Sequence, residues 1–185
     1  MKMGKVCVFL AAGFEEIEAL TVVDLLRRES IDTELVSVMK DKTVTGSHGI
    51  SVAADCLLSE VDFEKADMLV LPGGLKGTQN LEACEELMEQ VDAFVAANRP
   101  VCAICAAPSI LGHRGHLKGK RAIAYPGFET HLTGAEIADE PAVTDGTIIT
   151  GRGMGCAIDF GLAIVEFLKN KEAARALAEK IVYRM

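Results

Sequence analysis

Apolar residues along this chain fall into short blocks that alternate with longer stretches of helical spacing. Lys5 to Ala11, with Val6, Val8, Phe9 and Leu10, ends at Gly13 and reads as a buried strand. From Glu15 to Arg28, Ile17, Leu20, Val23 and Leu26 recur every three residues along one side of a helix. Acidic residues open that helix and Arg27 and Arg28 close it, both of which complement its dipole. Ile31 to Val38 predicts a second strand, and Thr43 to Ala54 a β-hairpin or arm turning near Ser47-His48-Gly49. Asp67 to Leu71 predicts a third buried strand, stopped by Pro72-Gly73-Gly74, and Glu82 to Ala97 a helix. Val101 to Ile104 follows as a strand and Ala106 to Leu111 as a helix. Arg121 to Tyr125 and Ala142 to Thr150 predict later strands, the second interrupted by the turn signal Asp145-Gly146. Cys156 to Leu168 and Lys171 to Tyr183 close the chain as helices. Nearly all-apolar strands alternating with helices predict a parallel sheet covered on both faces, an α/β fold in one domain spanning residues 1–185.

Composition narrows the partners. Net charge is -8 over 185 residues, and Trp is absent. That charge argues against nucleic acid and anionic membrane surfaces, which call for a basic face. No stretch approaches the roughly 20 apolar residues of a membrane span. The chain runs straight into its first strand without a signal-peptide pattern, so a soluble cytoplasmic protein is expected. The six cysteines, Cys7, Cys56, Cys84, Cys102, Cys105 and Cys156, are scattered through strands and helices and are expected to be reduced thiols.

Chemistry concentrates where strands end, since open sheets of this kind bind ligands beyond their carboxyl ends. In Val101-Cys102-Ala103-Ile104-Cys105-Ala106-Ala107-Pro108 an apolar strand stops at a cysteine, small residues follow and a helix begins. A helix N-terminus favours thiolate, so an activated Cys105 is one reading, titrating well below the usual value of roughly 8.5. One more small buried residue is the other. Cys102 and Cys105 have the C-x-x-C spacing of redox and zinc sites. Cys102 lies inside the strand, however, and should point into the packing, while no second C-x-x-C or His pair completes a zinc site. No metal or cofactor is expected.

Glu15, Glu16 and Glu18 follow the first strand. Glu15 and Glu18 share a helix face, and Glu16 lies roughly 100° away. A protonated Glu18 near Cys105 would donate a hydrogen bond to the thiolate, its pKa raised by burial and by the sulfur. All three can equally decorate the positive end of a helix. The Gly74 and Ala106 amides could form an oxyanion hole, or Pro72-Gly73-Gly74 could be a plain strand-ending turn. That run is not a P-loop, because the Gly-Lys-Ser/Thr ending is missing. His113 and His116 flank Arg114 in a stretch that reads as a surface loop without a metal pattern.

Taken in order, Phe9 to Glu18 (FLAAGFEEIE), Leu69 to Asn80 (LVLPGGLKGTQN), Ala103 to Pro108 (AICAAP) and Thr150 to Gly155 (TGRGMG) resemble the ThiJ/PfpI superfamily, in its branch of the parkinsonism-associated protein deglycase and its bacterial relatives. The resemblance implies a flavodoxin-like three-layer α/β sandwich, class I glutamine-amidotransferase-like, with a mostly parallel sheet flanked by helices, and a homodimer. It implies that Cys105 is a nucleophile at a strained strand-to-helix elbow and that Glu18 is its protonated partner. Gly74 and Ala106 match the family's backbone amides near the sulfur. Arg152 matches an arginine that reaches the partner subunit's site, and His48 a basic residue at the pocket mouth. Where relatives carry His-Pro, this chain has Tyr125-Pro126, a poor base at neutral pH. His131, six residues on, could fold back toward that place, although nothing in the spacing requires it.

Three functions follow from these residues. An enzyme of reactive dicarbonyls or their glycation adducts, of glyoxalase III or deglycase type, would use the Cys105 thiolate as nucleophile and Glu18 as proton shuttle. A redox-responsive, chaperone-like stress protein would oxidise Cys105 to sulfinate. A cysteine peptidase or amidase would need an imidazole that the Tyr125 position lacks.

Overall fold

The computed structural model describes residues 4–184. Seven strands form one sheet in the order β10-β11-β7-β6-β1-β2-β5. They are β1 (Lys5–Leu10), β2 (Thr33–Ser37), β5 (Cys56–Leu57), β6 (Ala66–Leu71), β7 (Val101–Ile104), β10 (Ala142–Asp145) and β11 (Ile148–Gly151). All neighbours pair in parallel except β10 and β11, an antiparallel hairpin at one edge. The remaining strands lie outside this sheet. β3 (Thr43–Thr45) and β4 (Ser51–Ala53) form the expected arm, and β8 (Arg121–Ala122) pairs with β9 (Glu136–Ile137).

The sheet is buried on both sides, so its strands carry apolar residues at consecutive positions. In β1, Val6, Val8 and Leu10 pack toward one face and Cys7 and Phe9 toward the other. The first face is covered by α1 (Glu16–Arg28), α5 (Ala157–Leu168) and α6 (Lys171–Lys180). The second is covered by α2 (Leu75–Glu82), α3 (Glu85–Ala96) and α4 (Pro108–His113). This is the flavodoxin-like α/β sandwich. Among the described residues no helix is long and apolar enough to cross a membrane.

Several boundaries differ from the expected ones, each for a local reason. α2 was not expected, because Lys76-Gly77-Thr78-Gln79-Asn80 shows no apolar periodicity and carries Gly77, Thr78 and Asn80, which favour helix less. α4 starts at Pro108 rather than Ala106, since residues 105–107 form a turn and proline suits the first helical position. The strand expected at Arg121 to Tyr125 shrinks to two residues, beyond which the chain turns out toward solvent at Tyr125.

After β2 and β5 build one side of β1, the chain crosses back to place β6 on its other side. β1, β6 and β7 are thus neighbours at the point where strand order reverses, and their carboxyl ends meet there.

Candidate active site

Cys105 follows β7 directly and holds φ 66°, a left-handed conformation that costs a non-glycine residue about 1–2 kcal/mol. The strain is held from both sides. The Cys105 N–H donates to the Gly151 carbonyl at 2.9 Å, and the Tyr125 N–H donates to the Cys105 carbonyl at 2.8 Å. The backbone N–H groups of Gly74 and Ala106 favour the thiolate of the half-buried sulfur, and among the cysteines whose pKa is shifted it alone has amides acting on it.

Glu18 reaches this point from the first turn of α1. It is 1% exposed, and Oε2 accepts the Gly73 N–H at 2.9 Å. Its Oε1 is buried without a hydrogen-bond partner, and its ionisation is coupled to the Cys105 thiol by a side-chain contact. Gly73 is the spacer. A Cβ there would stand 2.5 Å from both Cys105 Cβ and Glu18 Oε2, so only glycine lets the two groups meet. The sequence pointed to Gly74 and missed Gly73, although the Gly-Gly pair was the available signal.

Burial pushes the Glu18 carboxyl up to about 7, against the thiol and the Gly73 amide, which pull it down. That is the expected direction. Cys105 departs from expectation. Burial first, and an ionised Glu18 second, push its thiol up to about 12, although the Gly74 and Ala106 amides pull the other way. The helix dipole invoked from sequence is weak here, since α4 has only six residues and begins three positions later. The two acids form one unit near neutral pH, in which the second proton is hard to remove because two buried negative charges would face each other.

Because its folded pKa exceeds the usual 4.5, Glu18 contributes stability that is present below 4.5 and lost as pH rises through about 7. Glu18→Gln is therefore expected to match the parent in urea denaturation at pH 4.5 and to exceed it by about 3 kcal/mol at pH 8. An unchanged stability-versus-pH slope in the variant would contradict this.

Glu16 turns the other way, into the arm. Its Oε1 accepts the His48 N–H at 2.8 Å, and its Oε2 lies 3.1 Å from His48 Nδ1 and 3.2 Å from Ser47 Oγ. Burial raises this carboxyl, but its own backbone N–H, those of His48 and Ile50, and the imidazole outweigh burial and bring it to about 2. His48 is shifted up, chiefly by Glu16. Among the described residues, Glu15, Glu16 and His48 are the one group of three or more whose donor atoms converge as metal ligands could. The backbone amides and helix N-terminus already compensate that charge. An open cleft of about 630 Å³, lined by Gly13, Ser47, Leu75 and Lys76 among others, adjoins the Gly74 turn.

The other expected residues lie around this centre. The Tyr125 side chain is exposed and stands beside Gly153, where a Cβ would be 3.2 Å from its ring. Arg152 Nη1 meets Asp139 Oδ1 at 3.0 Å. His131 does not fold back to the sulfur; its Nδ1 lies 3.0 Å from His113 Nε2. His116 pairs with Asp92, so all four histidines are engaged away from Cys105. Cys102 is fully buried in the packing, as its strand position predicted.

A sequence profile of the DJ-1/PfpI family matches residues 4–167. The chain is 37% identical over 176 residues to Protein DJ-1 homolog A of Arabidopsis thaliana, covering 95% of this chain and 45% of that protein. It thus spans less than half the length of the Arabidopsis homologs A and B. It is 30% identical over 167 residues to a protein named a deglycase from Pyrococcus abyssi, covering 89% of this chain and 99% of that one. Among solved structures, oxidized DJ-1 of Toxoplasma gondii superposes with a TM-score of 0.94 at 33% identity, covering 98% of this chain and 100% of that one. A cysteine-to-alanine mutant of a DJ-1 superfamily protein from Salmonella typhimurium does so at 0.92 and 36%, covering 99% and 100%.

Proposed function

This chain belongs to the DJ-1/PfpI family, and on that premise we propose that it is a cysteine-dependent enzyme of reactive dicarbonyls, with Cys105 as nucleophile and Glu18 as proton carrier. The observation that carries the reading is a buried carboxyl, raised to about 7, held against Cys105 across Gly73, where the Gly74 and Ala106 amides favour the thiolate. A carboxyl poised near neutral pH exchanges protons readily in both directions. Glu18 takes the Cys105 proton as the sulfur adds to the aldehyde carbon of methylglyoxal. Returning that proton to the new alkoxide gives a hemithioacetal, and the Gly74 and Ala106 amides stabilise the developing charge. Glu18 then removes the hydrogen from the former aldehyde carbon to give an enediol, and protonation at the adjacent carbon, with the hydroxyl proton passing from the first oxygen to the second, leaves a lactyl thioester. Water cleaves it to lactate and regenerates the thiol, so methylglyoxal plus water becomes lactate with no external oxidant. Glycation adducts that release dicarbonyl enter the same path. The archaeal relatives named as deglycases support this class.

A redox role has its own support. The unpartnered Glu18 Oε1, if protonated, would donate to a sulfinate at Cys105. Lactate formation from methylglyoxal by the purified protein decides for the enzyme. Its absence, with peroxide oxidising Cys105 ahead of the other five cysteines, decides for the sensor. A peptidase reading lacks an imidazole at the sulfur.

Dimerisation belongs to the same proposal. Ile17 and Leu20 are exposed on α1, and Leu20 lines an open groove with Ile158 and Ile181. A second copy packed here would cover these apolar side chains, and the resemblance to the family has Arg152 reach the facing subunit's site. Light scattering at micromolar concentration is expected to give twice the chain mass, and a monomer mass would refute the dimer.

A further inference from the structure

His113 ends α4, and His131 ends a single 3-10 turn, Glu129–His131, in the segment that follows Tyr125. Eighteen residues apart in sequence, they meet with His113 Nε2 3.0 Å from His131 Nδ1. The other nitrogen of His113, Nδ1, lies 2.7 Å from Glu82 Oε1 at the end of α2. An ionised carboxylate only accepts, so His113 carries its proton on Nδ1 and presents a lone pair at Nε2. A carboxylate behind an imidazole is the arrangement that orients a metal-binding histidine and raises its basicity. Two nitrogens bound about 2.1 Å from one ion and at right angles to each other stand about 3.0 Å apart, which is the separation found here. Both rings are exposed and meet edge-on, so each is free to turn its lone pair off the line between the two nitrogens and toward a common point. The neighbouring cation does not oppose an ion, because Arg114 is turned away to Asp92.

We infer that His113 and His131 form a two-imidazole site for a divalent transition-metal ion of the nickel or copper class, with Glu82 orienting His113 and water completing the coordination. The ion takes the place of the proton between the two nitrogens. That proton moves to Nε2 of the exposed His131 ring, so neither ring changes charge. The site joins α4, which leaves the Cys105 turn on one side, to the segment beyond Tyr125, whose N–H holds the Cys105 carbonyl on the other. It stands independently of the dicarbonyl reading.

Nickel(II) titrated calorimetrically into the full chain tests it, with thermal unfolding followed in parallel. His113→Gln and His131→Gln are each expected to weaken binding at least tenfold and to abolish the rise in Tm that nickel produces. Glu82→Gln, which keeps both nitrogens, is expected to weaken binding by about 10–100-fold. His48→Gln and His116→Gln should leave it unchanged. Binding that survives either ligand substitution, binding lost instead with His48, or no binding at millimolar nickel overturns the site.

Discussion

Replacing Cys105 by alanine is expected to lower methylglyoxal turnover by at least about a thousandfold, because removing a nucleophile removes the covalent route rather than slowing it. The fold should survive, since the side chain lost is small and half-buried and the elbow is pinned through its backbone N–H and carbonyl. A second substitution separates chemistry from strain. At φ 66°, alanine keeps the left-handed penalty that cysteine carries, and glycine does not. Cys105→Gly is therefore expected to be as inactive as Cys105→Ala yet more stable by about 1 kcal/mol in chemical denaturation. Turnover within tenfold of the parent in either variant would show that the sulfur is not the reacting group. A glycine variant less stable than the alanine one would show that the elbow is not strained.

Gly73→Ala is expected to damage both stability and activity. Its Cβ would meet Cys105 Cβ and Glu18 Oε2 at 2.5 Å and the Ile104 carbonyl at 2.9 Å. The last is backbone of the central strand and cannot swing aside, so the turn must shift. Overpacking of this kind costs about 1–3 kcal/mol. The shift also pries Glu18 from the sulfur, and a displacement near 1 Å in a catalytic arrangement costs about a hundredfold in rate. Urea denaturation and turnover measured on the same variant check both. Retained turnover would mean that close approach of the two acids is not required.

The sheet was legible because its strands are short apolar blocks separated by amphipathic helices, and a parallel sheet buried on both faces leaves that trace. Cys105 and Glu18 were legible for a related reason. A cysteine that closes such a block among small residues, and an acid one turn into an otherwise apolar helix, both interrupt the packing pattern. What could not be read is what depends on distance across the fold. Gly73 differs from Gly74 only in what a Cβ would strike. Glu16 resembled a solvated helix-end acid, and only the returning arm shows it as the buried anchor of His48. The pKa of Cys105 was read from a local feature, the helix start, whereas burial and the facing carboxyl decide it. His113 and His131 looked unrelated because nothing in their spacing records that α4 and the turn after Tyr125 lie side by side.

The most direct test of proton sharing between Cys105 and Glu18 is the rate of Cys105 alkylation by iodoacetamide as a function of pH, read site by site by mass spectrometry in the parent and in Glu18→Gln. If Glu18 accepts the thiol proton, the parent rate rises with a midpoint at about 7, where the carboxyl ionises. In the glutamine variant the midpoint moves above the roughly 8.5 of an ordinary thiol, because the sulfur stays buried and has lost its base. Superimposable profiles for the two proteins would mean that Glu18 does not govern the sulfur.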